Sequence, residues 1–522
     1  MTRTIKLRYT ETAGCIFIDK IAGLNTHTPE HGQRGCVETY EEELDRKLFV
    51  VHRLDKATSG ALCFATSSET AAEISRLFEQ HLVSKRYLFL TDKPAGSLEF
   101  TYQSHIEKEK NKFVSSKDKE ANSKTTFKWI KALGRFQLWE AIPHTGKPHQ
   151  IRLHAEAKGI PILGDSEHGG SHFYRLCLHS YSLEFTLRGE HIKFETDLPV
   201  WAKDGELNEH EEDLVIGEAL QRRERLYKFS ELKDESLRLS HRELDTYRID
   251  QYGEYLWIYW YKEEDPSVPD LLRFEKLSKK LKKKILVRKM LNRGDDPNAE
   301  LLWTIGQTQT SWVAKENGVK YELRSDTGLS PGLFLDQREN RLWVSEHAQD
   351  RRVLNLFSYT SGFSVVSAMA GAQEVCTVDV SSNFLDWSKR NFALNGLDPE
   401  HEKYEFWNSD CILFLKGTVR RKRKFGLIIC DPPSFGRSKN GVFSISKNFD
   451  ELLINAMYCL EKNGLLLFCT NYEKWNSGDL HLRLEKLKRE FSFKILPAPS
   501  QGMDFELPDQ EPLMKSIILR KN

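Results

Sequence analysis

His52-Arg53-Leu54-Asp55-Lys56-Ala57-Thr58-Ser59-Gly60 is the stretch on which the first half of this 522-residue chain turns. It closes one apolar run (Leu48, Phe49, Val50, Val51) and opens another (Ala61, Leu62, Phe64), so it sets a carboxylate on a turn between two buried strands. A carboxylate there is costly unless a cation pairs with it, and pairing keeps it ionised and available as a nucleophile or base. An Arg-Asp pair that only braces a turn would carry the same dipeptide.

Two later stretches narrow the choice. Lys85-Arg86-Tyr87 begin a strand that ends at Phe89 and Leu90, and the run from His144 to Ala155 (HTGKPHQIRLHA) is followed by the run from Gly159 to Asp165 (GIPILGD). Together with the nonapeptide, and in the same order, they resemble the motifs of the RluA-type pseudouridine synthases, which isomerise uridine in structured RNA. Residues 14–24 resemble that family's opening motif, with Ile21 where proline is usual. The resemblance covers roughly the first 200 residues and implies a mixed-sheet domain that needs no cofactor. It implies base flipping and attack by Asp55, with Arg152 pairing to Asp55 and Tyr87 stacking on the base or assisting proton removal. Arg53 would fill the vacated stack. His52, His149 and Gln150 are candidate substrate contacts, although a lone histidine more often holds a loop than takes part in catalysis, and both histidines can be read so.

Length points to about three domains. Lys+Arg at 77 against Asp+Glu at 76 gives a net charge of +1, so any nucleic-acid surface must be local. The nine cysteines show no CxxC pair, which favours reduced thiols in the cytoplasm and disfavours zinc. Neither a signal core nor a membrane-spanning apolar run is present, so a cytoplasmic protein is expected.

Along the chain, residues 25–46 read as a loop and 67–81 as a helix with Ala71, Ile74, Leu77 and Phe78 on one face. The Lys- and Glu-rich residues 107–124 read as a solvated hairpin or loop. An acidic linker is expected over 201–218. Tyr247 to Tyr261 alternates, suiting a strand with one buried face, and Asp270 to Met290 reads as a lysine-rich helix. That basic helix beside an aromatic sheet could hold RNA phosphates, or be a solvated face.

The second half turns on Val353-Leu354-Asn355-Leu356-Phe357-Ser358-Tyr359-Thr360-Ser361-Gly362, a strand that enters a small-residue turn and then a helix. A second strand, Val375 to Asp379, ends in an acid able to accept both hydroxyls of a ribose. The absent glycine triplet argues against a dinucleotide. A third strand can end near Asp410, and a fourth, Gly426 to Cys430, delivers Asp431-Pro432-Pro433-Ser434-Phe435 to the carboxyl edge of the sheet.

These features, with Gly332 to Arg338, Trp387, Asn391 and Asn395-Gly396-Leu397, resemble the class I S-adenosylmethionine-dependent methyltransferases. Within them the bacterial large-subunit rRNA enzymes are nearest, and among those the guanine-N7 branch. The resemblance implies a Rossmann-like domain binding S-adenosyl-L-methionine through Asn355, Phe357, Tyr359, Gly362, Asp379 and Asp410. Asp336 and Arg338 would close over the cofactor. Asp431, Pro432 and Pro433 would stand at the transfer point, with Ser434, Phe435 and Asn471 against the base. Ser361 stands where the family has glycine, an exchange that should preserve the turn. Related 5-methylcytosine enzymes use a cysteine in the strand that here reads Leu467 to Tyr472. Aligning on Phe468 puts Thr470 at that position, but Cys469 is one residue away and a slip of one would reverse its face.

The expected architecture is therefore multidomain α/β and α+β. It has a pseudouridine synthase domain over 1–200, the linker, a small α+β RNA-binding domain over 219–325 and a methyltransferase domain over 326–522. The expected function is a bifunctional RNA-modifying enzyme acting on large-subunit rRNA, or alternatively tRNA, without metal or membrane. The rivals are 5-methylcytosine formation, and an RNA-binding assembly factor with one inactive half.

Overall fold

A computed structural model describes residues 3–29, 34–110, 112–203, 211–290, 300–306, 308–327, 330–438, 441–507 and 512–522. The architecture is multidomain α/β and α+β, in two compact units: Lys6–Glu231 with Leu507–Asp509, and Leu232–Glu506 with Met1–Ile5 and Gln510–Asn522.

The first unit is built on an 11-stranded mixed sheet. At its centre Ser59–Ala65, whose residues are all buried, pairs antiparallel with Cys15–Lys20 and parallel with Leu178–Leu187, which in turn pairs with Ser84–Thr91. Ser180 is the register partner of both Gly60 and Tyr87, so the end of the Asp55 loop and the tyrosine strand flank one residue. Gly60 has φ +114°, and a Cβ there would lie 2.1 Å from the Ser180 carbonyl oxygen, so only glycine admits this approach.

The helix expected over 67–81 is present as Ser68–Glu79, capped by the Ser67 side chain on the Thr70 amide. Residues 107–124 form a hairpin between Glu99–Glu109 and Lys112–Ser116 and the start of Ser123–Leu133. Two expectations are corrected. Cys36–Leu44 is a helix, not loop, seating Cys36, Val37 and Tyr40 in the core. The acidic segment is already helical from Glu211 to Tyr227, while 204–210 lie outside the described residues. This helix packs on the first unit through Leu214, Leu220 and Leu226, an Arg225–Asp19 ion pair of 2.8 Å and an Arg175–Glu218 pair.

In the second unit, a five-stranded sheet runs Ser236–Ser240, Tyr247–Tyr252, Tyr255–Trp260, Lys284–Lys289, Glu300–Ile305. Here the sequence reading is corrected twice more. The aromatic run is a hairpin rather than one strand, buried on both sides: Phe274 packs against Tyr247 and Trp260, and Trp312 lies 4.3 Å from Tyr255. With Tyr252, Tyr255, Trp257, Tyr259 and Trp260 in the core, these rings are not open to stack on bases. The basic helix, Val268–Leu281, stops at a left-handed Lys282, so Lys284, Arg288 and Lys289 belong to a strand.

The larger sheet of this unit has seven strands in the order Tyr404–Asn408, Glu374–Asp379, Arg352–Leu356, Phe425–Cys430, Leu460–Thr470, Lys515–Lys521, Phe493–Leu496. The first five are parallel and the last two pairings antiparallel. Strand order reverses beside Arg352–Leu356, so a ligand crevice opens at the carboxyl ends of this strand and Phe425–Cys430. The five- and seven-stranded sheets share one core, in which Tyr252 and Trp257, with Trp312 of the hairpin Ser311–Glu316 and Val319–Arg324 that covers one face of the aromatic strands, join Leu333, Val344 and Phe363. A buried ion network also joins them. Arg338 donates to Asp504 at 2.6 and 3.0 Å, the Arg238 amide donates to Asp504 at 3.0 Å, and the Arg238 side chain grips Asp250 at 2.6 and 2.9 Å. Asp504→Ala, which strips a buried guanidinium of its bidentate partner, should cost about 3 kcal/mol in urea unfolding. Among the described residues, no helix is long and apolar enough to cross a membrane.

Candidate active sites

The Asp55 loop is braced from beneath by a lysine that sequence reasoning missed. Lys20 is buried, and its ammonium donates to the carbonyls of Ile21 (3.1 Å), Lys56 (3.1 Å) and Thr58 (2.7 Å). Burial lowers its pKa to about 8, with Asp55 among the charges acting in the opposite direction. Thr26 closes the other side, its hydroxyl exchanging hydrogen bonds with the Leu54 amide and carbonyl. Asp55 is thereby held half-buried in a cleft of about 450 Å3, lined also by Arg53, Lys56, His149, Arg152, Asp165 and Glu167. Tyr87 stands on the strand beyond Ser180. Burial pushes its phenol up to about 12, with Asp55 adding to the rise and a hydrogen bond with Ser180 opposing it.

Three expectations for this site are corrected. Arg152 gives its guanidinium to Asp165 (2.7 and 2.6 Å) and Glu167 (2.8 Å), not to Asp55. Asp165 is fully buried, so the nearest guanidinium is needed to neutralise it. Asp55 and Arg152 nevertheless line the same cleft. His52 is a brace: its Nε2 accepts from the Cys63 amide at 3.0 Å, its ring stacks on Phe78, and burial lowers its pKa to about 3. Gln150 is also spent on structure, accepting from Thr145 and the Lys147 amide and donating to Lys124 and Thr125. His149 remains at the cleft, in left-handed conformation before the helix Gln150–Ala157.

In the second unit the carboxyl edge of the parallel sheet carries Asp379, whose carboxylate accepts from the Tyr359 amide at 2.8 Å and the Ser381 amide at 2.9 Å. The preceding turn is unusual. Phe357, Tyr359 and Ser361 all have positive φ (54°, 49° and 66°), a conformation that costs a non-glycine residue about 1–2 kcal/mol. Ser361 is held there by a 2.5 Å hydrogen bond between its hydroxyl and Ser388, whose hydroxyl also reaches the Tyr359 carbonyl. A left-handed residue thus occupies the position where glycine is usual, and Gly362 opens the helix behind it. Asp410 caps the helix Cys411–Arg420 through the Ile412 and Leu413 amides.

Two cofactor contacts expected from sequence are corrected. Arg338 is buried against Asp504 and cannot close over a ligand, because its guanidinium neutralises that carboxylate. Asn355 is buried within the sheet, where its amide donates to Ser364 at 2.9 Å. Asp336 behaves differently: Oδ1 is buried and has no hydrogen-bond partner among the described residues, and burial raises its pKa. Asp431 is raised to about 7, first by burial and then by Asp336, with Gln337 and Arg341 opposing. An orphaned carboxylate oxygen beside a second carboxyl fits a cationic ligand such as a sulfonium or ammonium.

Folding raises the Asp431 pKa, so ionising it opposes stability. The penalty is absent below about pH 4, grows as pH rises to about 7 and is then constant. Asp431→Asn should therefore raise the Tm of the ligand-free protein by about 4 °C at pH 8.5 and leave it nearly unchanged at pH 4. Differential scanning calorimetry at both pH values checks this.

At the same edge the Ser434 hydroxyl donates to Asn471 Oδ1 at 3.1 Å, and Phe435 is 57% exposed. Pro432 is buried and Pro433 exposed. Cys469 lies inside the strand, packed with Leu465 and Leu467, accepting from Asn340 and bonded to Ser516. Burial and Asp431 push its thiol well up.

These two arrangements fall in two separate family matches. Residues 14–157 match the family described as RNA pseudouridylate synthase, and residues 278–513 the family described as S-adenosylmethionine-dependent methyltransferase. The chain thus carries a match to an RNA pseudouridylate synthase in its first half and to an S-adenosylmethionine-dependent methyltransferase in its second. It is 40% identical over 202 residues to ribosomal RNA large subunit methyltransferase K of Neisseria meningitidis, covering 38% of this chain and 55% of that one. It is 32% identical over 295 residues to ribosomal RNA large subunit methyltransferase K/L of Shewanella pealeana, covering 53% and 38%. The chain thus spans about half or less of these curated relatives. The crystal structure of SMU.776 complexed with SAH superposes with a TM-score of 0.52 at 23% identity, covering 65% of this chain and 87% of that one, a likeness of fold.

Proposed function

We propose that the chain is a bifunctional RNA-modifying enzyme that isomerises uridine in its first unit and methylates a base, guanine N7 of large-subunit rRNA, in its second. The observation that carries this reading is that each unit presents its own carboxylate where chemistry needs it: Asp55 in an open cleft, and Asp379 at the carboxyl edge of a parallel sheet.

In the first unit a flipped uridine enters the cleft and Asp55 attacks the ribose or the base. The C1′–N1 bond breaks, uracil rotates and C5 bonds to C1′; Asp55 leaves as a free carboxylate, the C5 proton is lost, and N1 ends protonated, so no net proton is consumed. Tyr87 stacks beside the base or assists removal of the C5 proton. Arg53, exposed at the mouth, is placed to fill the vacated stack. Arg152 acts through Asp165 and Glu167, fixing the wall opposite Asp55.

In the second unit S-adenosylmethionine supplies an electrophilic methyl group. Asp379 would hold the ribose hydroxyls, with Tyr359 and Gly362 shaping the turn, and Asp336 and Asp431 would face the cationic end. Phe435, exposed beside Ser434 and Asn471, would stack on the base. Guanine N7 carries a free lone pair, so positioning is sufficient and no base is required.

Support for guanine over cytosine lies in Cys469, whose thiol is buried, packed and held protonated rather than poised as a nucleophile. Cys469→Ala should retain methyl transfer within about threefold, with 7-methylguanosine as product in nucleoside mass spectrometry. Formation of 5-methylcytidine, lost on the same substitution, would overturn the assignment.

A further inference from the structure

One cluster at the rim of the Asp55 cleft gathers three side chains of metal-ligand type, of which Glu167 also braces Arg152. His149, Glu167 and His168 each bring a ligand atom to within 4.8 Å of the others. His149 Nδ1 lies 3.0 Å from His168 Nε2 and 3.8 Å from Glu167 Oε2. A tetrahedral divalent ion with bonds of about 2.0–2.1 Å separates its ligand atoms by roughly 3.3 Å, so small side-chain rotations suffice. A second observation points the same way. His168 Nδ1 is 3.5 Å from Glu156 Oε2, the outer carboxylate contact that orients a metal-bound imidazole. The nearest guanidinium, Arg152, bonds Glu167 at 2.8 Å and lies 3.4 Å from the His149 ring nitrogens, while Glu167, Glu156 and Asp165 supply three carboxylates around the cluster. Arg152 keeps its two bonds to Asp165 if Glu167 turns to a metal.

We propose that His149, Glu167 and His168 form a site for a divalent transition metal of the zinc class at the rim of the Asp55 cleft, with Glu156 positioning His168. Two imidazoles and one carboxylate suit Zn2+, Co2+ or Ni2+ better than Mg2+ or Ca2+, and three ligands leave a fourth position open. His149 and Glu167 line the cleft with Asp55, so an occupied site narrows its mouth and inhibits isomerisation. That consequence rests on the pseudouridine synthase reading; binding itself does not.

Titration of the full chain with Co2+ and Zn2+ tests the site. One equivalent of Co2+ is expected to give tetrahedral d–d absorption without a thiolate charge-transfer band, and Zn2+ to displace it. His168→Ala should abolish the signal, and Glu156→Gln should weaken affinity by about 10–100-fold. Glu167, 62% exposed at its side chain, can be changed without threatening the fold, and Glu167→Gln should weaken affinity at least about tenfold. No binding, a thiolate band, or unchanged affinity in Glu167→Gln and His168→Ala overturns the site. Binding by a protein that makes no pseudouridine would leave the site standing and remove the isomerase reading. Isomerisation unaffected by saturating Zn2+ would remove the inhibition alone.

Discussion

Asp55→Asn is expected to lower pseudouridine formation by about 10³-fold or more while leaving S-adenosylmethionine affinity and methyl transfer unchanged. Asparagine keeps the size and polarity of the side chain but removes the negative charge that attacks. The loop should survive the change, because it is held by groups other than the Asp55 carboxylate: the Lys20 ammonium on the Lys56 and Thr58 carbonyls, and Thr26 on Leu54. The measurement is single-turnover tritium release or mass-resolved pseudouridine on an unmodified RNA, beside a melting curve. Retained isomerisation in a folded variant would remove Asp55 as the attacking group. An Arg152→Lys companion should behave differently, because a lysine cannot span Asp165 and Glu167 together and the loss would include cleft geometry and stability.

Asp379→Asn should weaken S-adenosylmethionine binding by about 10²-fold or more, with pseudouridine formation intact. Its carboxylate accepts two backbone amides, Tyr359 and Ser381, and would accept the ribose hydroxyls as well. Charge-assisted bonds of this kind contribute about 1.5–3 kcal/mol each, and an amide can accept on only one of its two atoms. The Tyr359 amide belongs to the turn with three left-handed non-glycine residues, so losing its acceptor also loosens the turn. Calorimetric titration of the full chain with the cofactor reads the affinity directly. Wild-type affinity in the variant would place the cofactor elsewhere.

The parts of this protein that were legible in sequence are those set by short-range pattern. The Asp55 loop announced itself as a charged turn between apolar runs, and the Asn355–Gly362 and Asp431–Phe435 segments as strand-to-turn transitions at a sheet edge. What could not be read was the pairing of charges. Arg152 answers to Asp165, thirteen residues on, and Arg338 to Asp504, 166 residues on. Guanidinium partners are chosen by tertiary proximity, to which spacing is silent. Lys20 was equally invisible, since nothing in its neighbourhood says that a lysine is buried to hold the next loop.

Element errors have local causes. The helix Cys36–Leu44 begins at Gly35 without a side-chain cap and carries four glutamates, so its apolar face is confined to a few residues and reads as loop. In the lysine-rich stretch, charge hid the change from helix to strand. The left-handed Lys282 ends the helix, and Ile285-Leu286-Val287, a buried run too short for another helix, was the available signal. The Tyr247–Tyr261 alternation was real, but helix on one side and hairpin on the other bury both faces.

The central claim is that two separate chemistries reside in one chain, and nucleoside-resolved mass mapping of rRNA and tRNA from cells carrying wild-type, Asp55→Asn or Asp379→Asn protein tests it most directly. The account predicts that Asp55→Asn loses pseudouridine alone, that Asp379→Asn loses one methylated guanine alone, and that both marks fall in large-subunit rRNA. Both marks persisting in either variant, or a single substitution removing both, would contradict it.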